Sequence, residues 1–363
     1  MPLSYSSRAL VATASVALLA GCAGGSGTSP LGAVGSQTGS QSINQKQTTQ
    51  SLSHSELLSK TLLVKPGVKA LLQHGVPKVV KNTRLFTGRA MFVSDAGTNE
   101  VYRIGAGGKV AVVGSGWSEP QGMGTDQAGN VYVADTANSR IVELSPSGAP
   151  LAILSDPGQY PAGVAIAPDG TVGVTNIIST SGGEGSVSFY TAGSTSPECT
   201  SSGVLSEDYF IGVDASDNFY FDGFNASTGA ISLATATPCG SVSDTGLSGP
   251  SEFPGGVAVT AAKVKSGKTK ELEETLNWGD QSALEVYTYA LPSYSAGSTI
   301  SLSGGSDEVE IAITKKEGLI GSADAGLAQA EAWDYPAGGS SPVLTVTGFS
   351  EPIGISFTAA PLE

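Results

Sequence analysis

From Leu85 to the C-terminus, apolar and polar residues alternate in short runs broken by Gly, Asp or Asn. That pattern predicts half-buried β-strands joined by tight turns. The clearest stretch runs from Pro120 to Asp126, turns at Gly129-Asn130, continues through Val131–Asp135 and ends in Asn138–Leu144. Related openings follow at Pro161–Val164, Phe210–Asp214, Pro254–Val259, Val309–Ile313 and Pro352–Phe357. A glycine recurs at positions 122, 163, 212, 256 and 354, with Glu310 in the remaining slot, at steps of 41, 49, 44, 54 and 44 residues. About four strands fit each interval, which is the period of a β-propeller blade.

The ends of this region predict how the ring closes. Ala90–Asp95 and Glu100–Ile104 form a first unit without an opening strand, whereas Pro352–Phe357 is an opening strand without a continuation. Joined, they complete one blade and remove the sheet edges that an open array would expose. The expectation is an all-β, six-bladed propeller over residues 85–363. The Pro120–Leu144 unit, with its Pro-x-Gly opening, Gly-Asn turn, Tyr132-Val133-Ala134-Asp135 and Asn138-x-Arg140-Ile141, resembles the NHL repeat. That resemblance implies the same six-bladed architecture and little about activity, because propellers host unrelated functions.

The N-terminal pattern is different. Ala9 to Ala20 is apolar apart from Thr13 and Ser15, and ends in Leu19-Ala20-Gly21-Cys22. It is short for a membrane span and carries small residues before a cleavage point, as a secretory signal does. The last four residues resemble the lipobox of bacterial lipoproteins. The resemblance implies that residues 1–21 are a signal peptide and that Cys22 becomes the first residue, with acyl chains of the palmitate kind on its thiol and amine. Two or more chains would hold the protein firmly on a membrane of the bacterial cell envelope. Ala23 in place of Asp implies the outer membrane where the host has two. Residues 22–53, rich in Gly, Ser, Thr and Gln, read as a flexible tether. Residues 54–84 read as a partly ordered basic collar, with leucines at helical spacing interrupted by Pro66.

Charge sharpens this division. The chain carries a formal net charge of −14, yet residues up to Arg84 sum to +7 and those from Leu85 onward to −21. An acidic ring argues against nucleic acid as a partner. Both histidines, His54 and His74, precede the ring. Histidine-dependent lyase or Ser-His-Asp chemistry therefore has no residue to run on inside it.

Within the ring, Asp95, Asp135 and Asp222 end corresponding strands, where carboxylates accept turn amide hydrogens, and Arg140 stands near Asp135. Cys199 and Cys239 fall late in the third and fourth blades. An exported compartment permits a disulfide, although equivalent outer-strand positions lie too far apart to bond and irregular loops would have to bring them together. Glu119, Asp208, Glu252, Glu308 and Glu351 stand just before or within the inner strands, so a cluster at the channel mouth could hold Ca²⁺ or another divalent cation. Gluconolactonase-like propeller hydrolases use such a channel metal, but no position here matches their ligand motif, and a solvated rim is the preferred reading. Tyr160, Tyr209 and Phe253 could stack on a ligand at that mouth or pack between blades; packing is preferred. Lys263–Glu274 is a mixed-charge insertion in the fifth blade.

No catalytic set and no cofactor emerge. The expected function is an anchored, monomeric, non-enzymatic binding or scaffold module for a protein, peptide or saccharide. The alternatives are a metal-dependent hydrolase or lactonase, and an envelope assembly or adhesion factor.

Overall fold

The computed structural model describes residues 76–82, 89–247, 249–250, 253–266, 269–281, 283–314 and 318–358. Cys22, the tether, both histidines and Glu252 lie outside them. The described residues form a six-bladed β-propeller of antiparallel sheets.

Blade 1 joins β25 (Pro352–Phe357) to β2 (Met91–Asp95), β3 (Glu100–Ile104) and β4 (Val110–Val113). Blade 2 contains β5 (Pro120–Thr125), β6 (Val131–Asp135), β7 (Arg140–Leu144) and β8 (Pro150–Ser155). Blade 3 contains β9 (Gln159–Ile166), β10 (Val172–Ser179), β11 (Ser186–Tyr190) and β12 (Cys199–Ser201). Blade 4 contains β13 (Leu205–Val213), β14 (Phe219–Asn225), β15 (Ile231–Ala236) and β16 (Ser243–Asp244). Blade 5 contains β17 (Pro254–Ser266), β18 (Thr269–Asp280), β19 (Glu285–Leu291) and β20 (Ser295–Ser301). Blade 6 contains β21 (Glu308–Ile313), β22 (Leu319–Asp324), β23 (Gln329–Asp334) and β24 (Leu344–Thr347).

The expected closure is present. Strand β25 pairs with β2 from Met91 opposite Phe357 to Asp95 opposite Pro352, so the chain's two ends share one sheet. The segment read as a collar contributes a strand of its own: β1 (Lys78–Asn82) pairs antiparallel with β24 and gives blade 6 a fifth, outermost strand. Its Val79 packs against the cluster of Tyr102, Leu344, Val346 and Phe349.

Alternation along each strand sends one set of side chains toward each neighbouring blade, and the core is correspondingly divided into inter-blade layers. Met91, Ile104, Leu344 and Phe357 fill the layer between blades 1 and 6, and Phe92, Val101, Met123 and Val133 that between blades 1 and 2. Phe189, Phe219 and Phe221 fill the layer between blades 3 and 4, and Leu233, Leu276 and Trp278 that between blades 4 and 5.

The recurrent glycine follows from the convergence of the inner strands. A Cβ on Gly122 would lie 2.5 Å from the carbonyl oxygen of Ala162, and one on Gly163 would lie 2.6 Å from that of Tyr209. The same side of Gly256 meets the Ile311 amide nitrogen at 2.5 Å, and that of Gly354 meets the Gln121 carbonyl. The obstacles are backbone atoms of the next blade, which cannot rotate aside. Substituting Gly163 by Ala is expected to cost about 1–3 kcal/mol through this overpacking, measured as a lower denaturant midpoint with an unchanged slope.

Candidate functional site

Glu310 occupies the position that is glycine in the other five blades, and its side chain reaches across the axis. Its carboxylate accepts the amide hydrogen of Met123 in blade 2, at 3.2 and 3.3 Å to its two oxygens. It also accepts that of Ile355 in blade 1 at 2.8 Å. These donors follow Gly122 and Gly354, on inner-strand edges that have no further strand to pair with. Burial pushes the Glu310 carboxyl well above the usual range; its two amide donors draw it back in part, and the charge of Asp222 raises it further.

An apolar cluster joins several blades. Ala96, Ala162, Ile177, Tyr209, Phe210, Val309, Ala325 and Ile353 form one apolar cluster, with Phe224 and Phe253 against it. These residues come from blades 1, 3, 4 and 6 and, through Phe253, from the segment that enters blade 5. Tyr209 and Phe253 pack on each other, with ring centroids 5.4 Å apart in an edge-to-face arrangement. Tyr160, 3% exposed, packs separately against Ala137 and Ile178. Burial, and then the charge of Glu119, raises its hydroxyl.

The aspartates at the ends of second strands act as clamps. Asp95 accepts amide hydrogens from Gly97 (3.1 Å) and Thr98 (3.3 Å) in its own turn, and from Ser350 (2.7 Å) and Glu351 (2.8 Å) before β25. Asp135 accepts the Ser118 amide hydrogen at 2.7 Å and pairs with Arg140 at 2.6 Å. Asp324 holds Ser306, Asp307 and Leu327 in the same way at 2.9–3.2 Å. Asp222 keeps this register although β14 runs on to Asn225; its carboxylate accepts hydrogens from the Phe210 amide (2.8 Å) and the Trp278 indole (3.3 Å). Glu119 and Glu351 sit in the clamped segments, Glu119 with a left-handed φ of 52° and Glu351 at 3% exposure. Asp208 is buried on β13, and its carboxyl is raised by burial and by neighbouring Asp222.

The convergence of acids that the structure creates is within blade 6. Glu308, Asp324 and Glu331, from β21, β22 and β23, place one carboxylate oxygen each within 4.8 Å of the others. All three are buried, at 2%, 0% and 2% exposure. Glu308 is the member anticipated from sequence. Asp324 and Glu331 were not, because strand pairing brings them to it: Glu308 stands opposite Asp324, and Glu331 opposite Ser322. Fully ionised, each pair would repel by at least about 3.5 kcal/mol at an effective dielectric of about 20. Burial, then Asp324, raises Glu308 well above its usual value, and the same causes push Glu331 up to about 7.

Cys199 and Cys239 form a disulfide, with Cα atoms 5.7 Å apart, that staples blades 3 and 4. The two cysteines are not at equivalent outer-strand positions. Cys199 opens β12, whereas Cys239 lies in the turn between β15 and β16, with a left-handed φ of 58°. The irregular turn supplies the approach that regular strands would not. Closing a 40-residue separation constrains the unfolded chain by about 4 kcal/mol in the chain-entropy model.

With this geometry in place, the comparisons can be stated. No family model matches the chain, and no curated protein matches it. Among solved structures, a chain of a nidogen/laminin complex superposes with a TM-score of 0.54 at 14% identity, over 75% of this chain and 99% of its own. A Bacteroides caccae protein of unknown function superposes with a TM-score of 0.51 at 15% identity, over the same shares of 75% and 99%. At these identities the likeness is one of fold.

Raised carboxyls have a signed consequence for stability. Glu331 and Asp222 are both pushed up to about 7 and Asp156 to about 6, burial being the largest cause for each. The folded state then keeps protons that the unfolded chain releases near pH 4, so stability is greatest below that pH and falls as pH rises toward 7. Thermal unfolding in cation-free buffer is expected to give a lower Tm at pH 8 than at pH 5. Glu331→Gln is expected to reduce that difference.

Proposed function

We propose that this chain is a lipid-anchored cell-envelope propeller that works as a non-enzymatic binding or scaffold module. The observation that carries the reading is that the innermost side chains are employed in holding blades together. Glu310 is engaged by the amides of Met123 and Ile355, and Tyr209 and Phe253 pack on each other. The clamping aspartates are engaged by turn amides, which leaves them structural work.

A protruding element supports the binding role. Inner strands of blades 1, 2, 3 and 6 end three residues after the axial position, at Phe357, Thr125, Ile166 and Ile313. The equivalent point in blade 5 is Val259, yet β17 continues to Ser266 and stays paired with β18 as far as Thr269. Those seven further residues extend the hairpin by about 23 Å. The segment carries Lys263, Lys265 and Lys270 beside Glu271, Glu273 and Glu274, and Leu272 is 50% exposed. Mixed charge flanking an exposed leucine suits a protein or peptide surface, with a saccharide as the other ligand class. The Leu19-Ala20-Gly21-Cys22 string supports the anchor and the tether supports reach from a membrane.

The test has two parts. Purified protein is expected to hydrolyse no member of a panel of lactones and esters; turnover that disappears in a Glu119→Ala or Glu308→Ala variant would make it a hydrolase. Metabolic labelling with a palmitate analogue is expected to mark the wild-type chain and not Cys22→Ala. Normal acylation of that variant would remove the anchor from the account.

A further inference from the structure

Blades 1, 2 and 5 serve as internal controls for blade 6 at two positions of the inner and third strands. The first-strand residue opposite the second-strand aspartate is Pro352 in blade 1, Pro120 in blade 2 and Pro254 in blade 5, facing Asp95, Asp135 and Asp280. In blade 6 it is Glu308, facing Asp324. The third-strand residue two places beyond the one opposite that aspartate is Tyr102, Val142 and Tyr287 in blades 1, 2 and 5. In blade 6 it is Glu331. Proline and apolar positions of the repeat have thus both become carboxylates directed at the same aspartate.

The surrounding protein satisfies the two additions only in part: the Thr345 hydroxyl donates to Oε1 of Glu331 at 3.3 Å. Neither carboxylate oxygen of Glu308 has a hydrogen-bond partner, and Oε2 of Glu331 has none. The nearby Ser322 hydroxyl donates to the Glu310 carbonyl oxygen at 2.8 Å. Asp324 is oriented by three backbone amides, which fixes one ligand rigidly. Gly305 walls the site: a Cβ there would fall on Oε1 of Glu308 and 3.3 Å from Oδ2 of Asp324. Lys81 of β1 is the nearest counter-charge and acts on Glu331, but its ammonium donates to the Ser341 hydroxyl.

We propose that Glu308, Asp324 and Glu331 bind a hard divalent cation of the Ca²⁺ type inside blade 6. Oxygens bound to one Ca²⁺, at about 2.3–2.6 Å each, lie up to about 5 Å apart, and the three carboxylate oxygens fall within 4.8 Å of one another. Burial of all three ligands within one hydrogen-bonded sheet leaves no open approach for a substrate, and the bound ion is structural. It ties β21, β22 and β23 together in the blade beside the ring closure.

The experiment uses the full chain, stripped with a chelator and titrated with CaCl₂ by calorimetry, with metal content measured separately by mass spectrometry. Wild type is expected to bind one Ca²⁺ per chain, and its Tm is expected to rise by about 5 °C when free Ca²⁺ reaches a hundred times Kd. Glu308→Gln and Glu331→Gln are expected to lose the bound ion and the Tm rise. In chelator each variant is expected to unfold no lower than wild type, because the substitution relieves repulsion; that sign reversal separates loss of a ligand from loss of folding. No binding below 1 mM free Ca²⁺ (on the order of the weakest extracellular Ca²⁺ modules) would overturn the proposal. So would an equal, Ca²⁺-dependent Tm rise in both variants. Metal content is read independently of the lactone and ester assay, so either result stands without the other.

Discussion

The closest approach of the six inner strands at the axis is the constraint from which the rest of this structure follows. At that point the next blade's backbone lies within 2.5–2.6 Å of where a Cβ would stand on Gly122, Gly163 or Gly256. Five blades meet the constraint with glycine. The sixth brings in Glu310, whose carboxylate satisfies the amides of Met123 and Ile355 that the converging edges leave over. A buried unpaired amide costs about 1–3 kcal/mol, so a single acceptor serving two strands is a substantial contribution to holding blades 1, 2 and 6 in place. The apolar cluster around Tyr209 and Phe210 packs between several of these blades.

Polar groups throughout the ring follow the same economy. The clamping aspartates turn the link between adjacent elements into a set of specific hydrogen bonds, Asp95 with four amide donors and Asp324 with three. Each is fixed to its turn, and its neighbours inherit that position. Blade 6 uses the clamp differently. There the aspartate meets two further carboxyl groups, and the clamp becomes the centre of an acidic cluster.

Architecture was legible in the sequence because strand alternation and the glycine interval report a local and repeated physical requirement. The split blade was legible for the same reason: Ala90–Asp95 lacks an inner strand and Pro352–Phe357 supplies one. What escaped depends on pairing between segments distant in sequence. Val79 and its neighbours form β1 by adding to β24, more than 260 residues away. Glu308 was visible as an inner-strand acid, but its partners Asp324 and Glu331 are selected by register across β22 and β23. Glu310 was visible as a break in the glycine pattern, and that break was the available signal for its contacts with Met123 and Ile355. Tyr209 and Phe253 were visible as aromatics near the channel mouth, where their rings pack on each other.

The account depends most on Glu310 as the acceptor that ties the inner strands of blades 1 and 2 to blade 6. Equilibrium denaturation of Glu310→Gly tests this directly, since glycine restores the residue found in the other five blades while removing the acceptor. The expected result is a loss of about 2–4 kcal/mol, from two buried amides left without a partner, with two-state unfolding retained. An unchanged midpoint would contradict the account, because it would mean that these inner strands are held without this side chain.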